Sequence, residues 1–158
     1  RLFESMRAAK GQFRIETPES LRFHVEKRPE KCYDYTYYLQ DESKKTLQVL
    51  AKALKSVHNQ GKRISVRPHP RYSDMALVRE LFDFANVEDC KTVTIEQSLL
   101  QTGAAISLFS TVLNQAVNNS IPIVIDDLSN PKSFSKLKQV QYIMLKTEPT
   151  LLSTIVEE

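Results

Sequence analysis

Apolar residues recur along this chain with two periods. Leu47, Leu50, Leu54 and Val57 follow three- and four-residue spacing, which predicts an amphipathic helix over Lys44–Asn59. The turn Gln40-Asp41-Glu42-Ser43 precedes it, where Asp41 or Ser43 can cap the helix, and Gly61 can terminate it. Val78, Leu81, Phe82 and Ala85 predict a second helix opened by Asp74. A short third helix is predicted over 95–102, ended by Gly103. Val112, Leu113, Ala116 and Val117 predict a fourth, opening at Ser110 and stopping near Asn118 and Asn119. Leu151, Leu152, Ile155 and Val156 predict a terminal helix with Pro149 in its first turn. Short β-forming runs lie between these segments, at 35–39, 63–67, 92–94, 104–108, 122–125 and 141–144. Tyr33, Tyr35 and Tyr37 alternate, as on one packed face of a sheet.

Strands therefore alternate with helices from about residue 34 onward. That order predicts an α/β domain over 33–158: a Rossmann-like, doubly wound parallel sheet of about five or six strands with helices on both faces. Residues 1–32 are rich in charge, contain Pro18 and Pro29, and read as a connector or the remnant of an upstream domain. The chain starts at Arg1, the expectation for a piece of a longer protein.

Composition narrows the function. A formal charge of +3 is too small to draw a nucleic acid or a membrane by bulk electrostatics. No apolar run approaches the roughly 18 residues of a membrane span. Two cysteines, Cys32 and Cys90, make no disulfide framework and suit a reducing, cytoplasmic setting. His24, His58 and His69 are far apart and lack cysteine partners at ligand spacing, so no structural metal site is expected. With only Gly11, Gly61 and Gly103, neither a GxGxxG fingerprint nor a P-loop is possible.

In open α/β sheets, ligands bind beyond the carboxyl ends of the strands, at the switch point. With strand order 3-2-1-4-5, the second and fourth strands flank the first, and the residues after them face one crevice. The second strand ends in Arg67-Pro68-His69-Pro70-Arg71, and the fourth, which carries Ser107, leads to Phe109-Ser110-Thr111 at a helix start. A helix N-terminus offers unpaired N–H groups and partial positive charge, and Ser110 and Thr111 add hydroxyls. His69 is braced by two prolines, and Arg67 and Arg71 can bond a phosphate bidentately. Asp41, Ser107, Asp126 and Asp127 complete the set of strand-end candidates. Each feature also has a structural reading: an exposed loop, a helix cap, or a turn at Asp126-Asp127.

The string RPHPR, followed some forty residues later by GAAISLFSTVLNQAVNNSIPIVID, resembles the carboxyl-terminal half of a GT-B glycosyltransferase. More narrowly, it is similar to the bacterial sialyltransferases of capsule and lipooligosaccharide synthesis, with His69-Pro70 matching their HP motif and Ser110-Thr111 their serine-threonine motif. The likeness spans about residues 33–145. It implies that His69, Ser110 and Thr111 hold the phosphate of CMP-sialic acid, and that His69 also acts catalytically by stabilising the departing CMP. It implies a glycan acceptor, no metal or other cofactor, and an amino-terminal domain of the same chain that supplies the general base. The chain by itself is then expected to bind nucleotide weakly and turn over little. Peripheral attachment of the intact enzyme to the cytoplasmic membrane suits lipid-linked acceptors. One family motif is missing, since Asp126-Asp127 is followed by Leu128 rather than glycine.

Two alternatives stand beside this reading. CDP-glycerol-type and other capsule or wall-polymer transferases also carry an Arg-x-His-Pro element and a serine at a helix start. A non-catalytic doubly wound binding module is the other; a response-regulator receiver is disfavoured, because the 92–94 region offers only Glu96 in place of a phosphoacceptor aspartate.

Overall fold

Alternation of apolar residues on both faces of the strands sets the layering. Tyr37, Ile64, Val66, Ala104, Ile106 and Val124 turn to one core, whereas Tyr38, Ala105 and Ile125 turn to the other. A strand buried on both sides in this way needs helices above and below it. The computed structural model, which describes residues 18–25, 28–142, 144–145 and 148–157, shows that arrangement.

In chain order the elements are β1 (Tyr33–Tyr38), α1 (Lys44–Asn59), β2 (Ile64–Arg67), α2 (Met75–Leu81), β3 (Asn86–Val87), α3 (Ile95–Gln101), β4 (Thr102–Ser107), α4 (Thr111–Asn118), β5 (Ile123–Ile125), α5 (Pro131–Gln139), β6 (Thr150–Leu151) and α6 (Leu152–Glu157). Among the described residues the strands form one six-stranded sheet, order β3-β2-β1-β4-β5-β6, with every pair parallel. This is the doubly wound α/β fold expected from the sequence. Helices α1, α2 and α6 cover the first core and α3, α4 and α5 the second. The chain reverses direction across the sheet between β1 and β4, so the switch point lies at their carboxyl ends.

Helix α1 forms because Leu47, Leu50, Leu54 and Val57 all reach the core. Ser43 caps it by accepting the Thr46 N–H at 3.2 Å, and Gly61 ends it at φ 86°. Asp74 caps α2, and Thr94 with Gln97 forms a reciprocal capping box on α3.

Several boundaries differ from expectation. Residues 92–94 are not a strand: Thr92 and Val93 donate back to the Asp89 carbonyl in a turn, and Thr94 is a cap. The third strand is instead Asn86–Val87, whose two residues are too few to show alternation. Gln141, Tyr142 and Met144 are outside any strand, while Ile143 lies outside the described residues. The sixth strand is Thr150–Leu151, and α6 starts beyond Pro149. Helix α5 was not expected; Asn130 caps it and Pro131 fills its first turn.

Residues of the expected connector also touch the domain where they are described. The Asn119 side chain accepts the Phe23 N–H at 2.7 Å and donates to the Leu21 carbonyl at 3.1 Å.

Gly103 does not end α3 but sits in β4, where a Cβ would lie 2.6 Å from the Asp34 carbonyl oxygen. Gly103→Ala is therefore expected to push β1 and β4 apart and cost about 1–3 kcal/mol. A lowered urea midpoint at unchanged m-value would register it.

Candidate functional site

The loop after β2 is held by its own sequence. Pro68 and Pro70 fix the backbone on either side of His69. The Ser73 hydroxyl accepts the His69 N–H at 2.8 Å, and His69 Nδ1 accepts the Arg71 N–H at 3.2 Å. With Nδ1 used as an acceptor, the proton of the neutral ring sits on Nε2, which becomes a donor. The Tyr72 ring stacks on the imidazole at 4.5 Å between centroids.

Ser110 caps α4, an eight-residue helix, by accepting the Val112 N–H at 3.2 Å. The Gln40 Nε2 group, reaching across from the end of β1, donates to the same oxygen at 2.9 Å. Both acceptor positions of the hydroxyl are thereby filled, so its own proton is left to donate. The Leu113 N–H is taken by the Ser110 carbonyl at 3.1 Å, so the Thr111 N–H is the first-turn donor that neither bond uses.

These two loops meet. Arg67, His69, Gln40, Ser110 and Thr111 line a single cavity of about 220 Å³ over the switch point. Leu39, Pro68, Pro70, Ile95 and Val112 supply much of the wall, and His69, Ser110, Thr111 and the start of α4 supply groups that can bond an anion.

The other candidates are placed differently. Arg67 lines the cavity, but its Nη1 pairs with Glu88 at 2.8 Å and its Nη2 donates to the Val93 carbonyl at 2.9 Å. Its guanidinium thus braces the end of β2 against Glu88 and the turn before α3. Arg71 is exposed and lines neither this cavity nor its neighbour. Ser107 is buried and donates to the Tyr38 carbonyl at 3.1 Å. Asp126 is fully buried, accepting Tyr37 Oη at 2.7 Å, the N–H groups of Leu128 and Ser129 at 2.9 Å, and the Ser129 hydroxyl. Asp127 holds the start of α6 through the Ser153 N–H at 2.9 Å and the Ser153 hydroxyl at 2.6 Å. The acidic pair after β5 therefore serves the loop and the last helix, and neither residue lines the 220 Å³ cavity.

A second cavity, of about 440 Å³, adjoins the first and shares Gln40 in its wall. Asp41 lines it, together with Glu42, Tyr72 and Phe109. Both Glu42 oxygens accept the Gln40 N–H, at 2.8 and 3.0 Å. Burial pushes the Glu42 carboxyl above its ordinary value, and the charges of Asp126 and Asp41 add to this, against the hydrogen bond from Gln40. Sequence reasoning passed over Gln40, Glu42 and Tyr72. The signal was position: two lie just past β1, and one lies three residues beyond His69.

Burial also pushes the Tyr37 phenol well above its ordinary value, with the Asp126 charge adding to it. The folded state therefore holds this proton more tightly than the unfolded chain. The resulting stability is complete below the unfolded value of about 10 and is lost as pH rises through the folded value. Urea unfolding is expected to weaken from about pH 10 upward, and less steeply in Tyr37→Phe.

Among the described residues no group of histidine, cysteine, aspartate and glutamate is placed to hold a metal ion, and no helix is long and apolar enough to cross a membrane. No protein-family model, curated protein or solved structure matches the chain.

Proposed function

We propose that this chain is the donor-nucleotide-binding domain of a glycosyltransferase, with His69, Ser110 and Thr111 holding the phosphate of a nucleotide-activated sugar. The observation that carries the reading is that the loop after β2 and the tip of α4 line one small cavity at the switch point of the sheet. As the sugar leaves, negative charge grows on the nucleotide phosphate. A fixed Nε2–H and a hydroxyl with no other use for its proton stabilise that charge without reorganising. An acceptor glycan and the general base belong to the intact enzyme.

Sequence resemblance favours CMP-sialic acid as the donor. A second reading is a CDP-glycerol-type polymer transferase, whose donor ends in a neutral glycerol where CMP-sialic acid carries a carboxylate. The carboxylates of Asp41 and Glu42 in the adjoining cavity favour it.

Calorimetric titration with CMP tests the proposal. His69→Ala and Ser110→Ala are each expected to lower affinity about ten- to a hundredfold, the loss of a hydrogen bond to a charged group. Unchanged affinity in both variants would remove the phosphate site.

A further inference from the structure

Strand β1 lies between β2 and β4 in the sheet, so the residues just past its end stand between the loop after β2 and the tip of α4. Leu39 donates its N–H to the Arg67 carbonyl at 3.0 Å, which ties this end of the chain to the base of the Pro-His-Pro turn. Gln40 follows. Both Glu42 oxygens hold its N–H, and its side chain crosses to Ser110, where Nε2 donates to Oγ at 2.9 Å. The residue is half-buried and lines the same cavity as His69 and Ser110.

A serine hydroxyl can donate or accept, and its rotor settles the choice. At Ser110 the Val112 N–H takes one lone pair. An amide nitrogen on the other lone pair leaves the proton to point elsewhere. A carboxylate in the place of that amide would draw the proton to itself, and the hydroxyl would turn a lone pair toward the ligand. We propose that Gln40 is a positioning residue, which sets the Ser110 hydroxyl as a donor to the bound phosphate. It acts through Ser110 rather than by contact with the ligand. The cradle is thereby matched to a ligand atom that only accepts, as an ionised phosphate oxygen does. The inference rests on the phosphate reading and assigns the polarity of its hydroxyl to a residue of a third loop.

A double-mutant cycle read by calorimetric titration with CMP tests this, at about pH 8, where the phosphate is fully ionised. Gln40→Met keeps the length of the side chain and removes its hydrogen bond. It is expected to weaken CMP about five- to tenfold. In the Ser110→Ala background the same change is expected to alter affinity less than about twofold, because the group it acts through is gone. Gln40→Leu, a second variant without the hydrogen bond, is expected to repeat both results. Gln40→Glu can only accept. It is expected to weaken CMP about a hundredfold, since its carboxylate takes the hydroxyl proton and sets a like charge beside the phosphate. A side chain that merely supports the loop would show the same loss with and without the Ser110 hydroxyl. Equal effects of Gln40→Met in the two backgrounds, or a Gln40→Glu chain that binds CMP as tightly as the wild type, would overturn the role of Gln40. The cradle would still stand if His69→Ala and Ser110→Ala weaken binding. Failure of the wild-type chain to bind CMP would overturn the cradle, and the role of Gln40 with it.

Discussion

Truncating Glu88 to alanine is expected to destabilise the domain by about 3–5 kcal/mol. Glu88 is only 4% exposed and accepts three donors: Arg67 Nη1 at 2.8 Å, the Ser98 hydroxyl at 2.9 Å and the Ser65 hydroxyl at 3.3 Å. Tyr38 continues the chain by bonding Ser98 at 3.0 Å. Removing the carboxylate leaves the Arg67 cation at the end of β2 with the Val93 carbonyl, and leaves the Ser65 and Ser98 hydroxyls only the Asn86 carbonyl and the Tyr38 hydroxyl. A lone buried charge costs far more than the pair contributes. Replacing both partners, as Arg67→Met/Glu88→Met, is therefore expected to recover most of the stability lost in Glu88→Ala. Urea unfolding of the wild type, the single variants and the double variant measures this directly. A loss below about 1 kcal/mol in Glu88→Ala would mean that the pair behaves like a surface ion pair. Because Arg67 leads straight into the Pro-His-Pro turn, Glu88→Ala is also expected to weaken CMP binding without touching the ligand.

Asp126→Ala carries the second large effect, about 3 kcal/mol, from stranding the donors that converge on its carboxylate. Of these the Tyr37 phenol is the costliest, since it is 1% exposed. The N–H groups of Leu128 and Ser129 shape the loop after β5 through the same carboxylate. Asp41→Ala is the matched control. Asp41 is an exposed carboxylate in a neighbouring strand-end loop, and its removal is expected to change stability by less than about 0.5 kcal/mol. Equal losses in the two variants would contradict the assignment of Asp126 to the fold.

Most of the fold was legible in the hydrophobic pattern because most of its elements are buried on a regular period. Helix α1 matches expectation at both ends, since a four-turn apolar stripe, a serine cap and a glycine stop agree with one another. Alternation of strands with helices and right-handed crossovers left few topologies, and the common order 3-2-1-4-5 assumed among them is the one present, extended by β6. The two-residue strands β3 and β6 were beyond reach, being too short for any period and fixed by pairing with β2 and β5. Helix α5 escaped because its apolar stripe is thin, with Phe134 its one buried residue, although Asn130-Pro131 is a start signal in plain view.

The candidate site divides along the same line. His69, Ser110 and Thr111 were readable because each follows a strand that the pattern reveals. An aspartate after a strand looks identical in sequence whether it faces a ligand or a loop. Asp126 turns inward to Tyr37, Leu128 and Ser129 of its own loop, and Asp127 meets Ser153 of a terminal helix that was expected to open at Pro149 but starts at Leu152. Arg67 likewise drew its partner from Glu88, twenty-one residues away and across a strand pairing.

The structure of the chain with CMP bound tests the central claim most directly. Phosphate oxygens are expected at hydrogen-bond distance, about 2.7–3.2 Å, from both His69 Nε2 and Ser110 Oγ. A phosphate that touches only one of the two loops, or that settles in the separate 470 Å³ cavity between Phe134 and Tyr142, would contradict it.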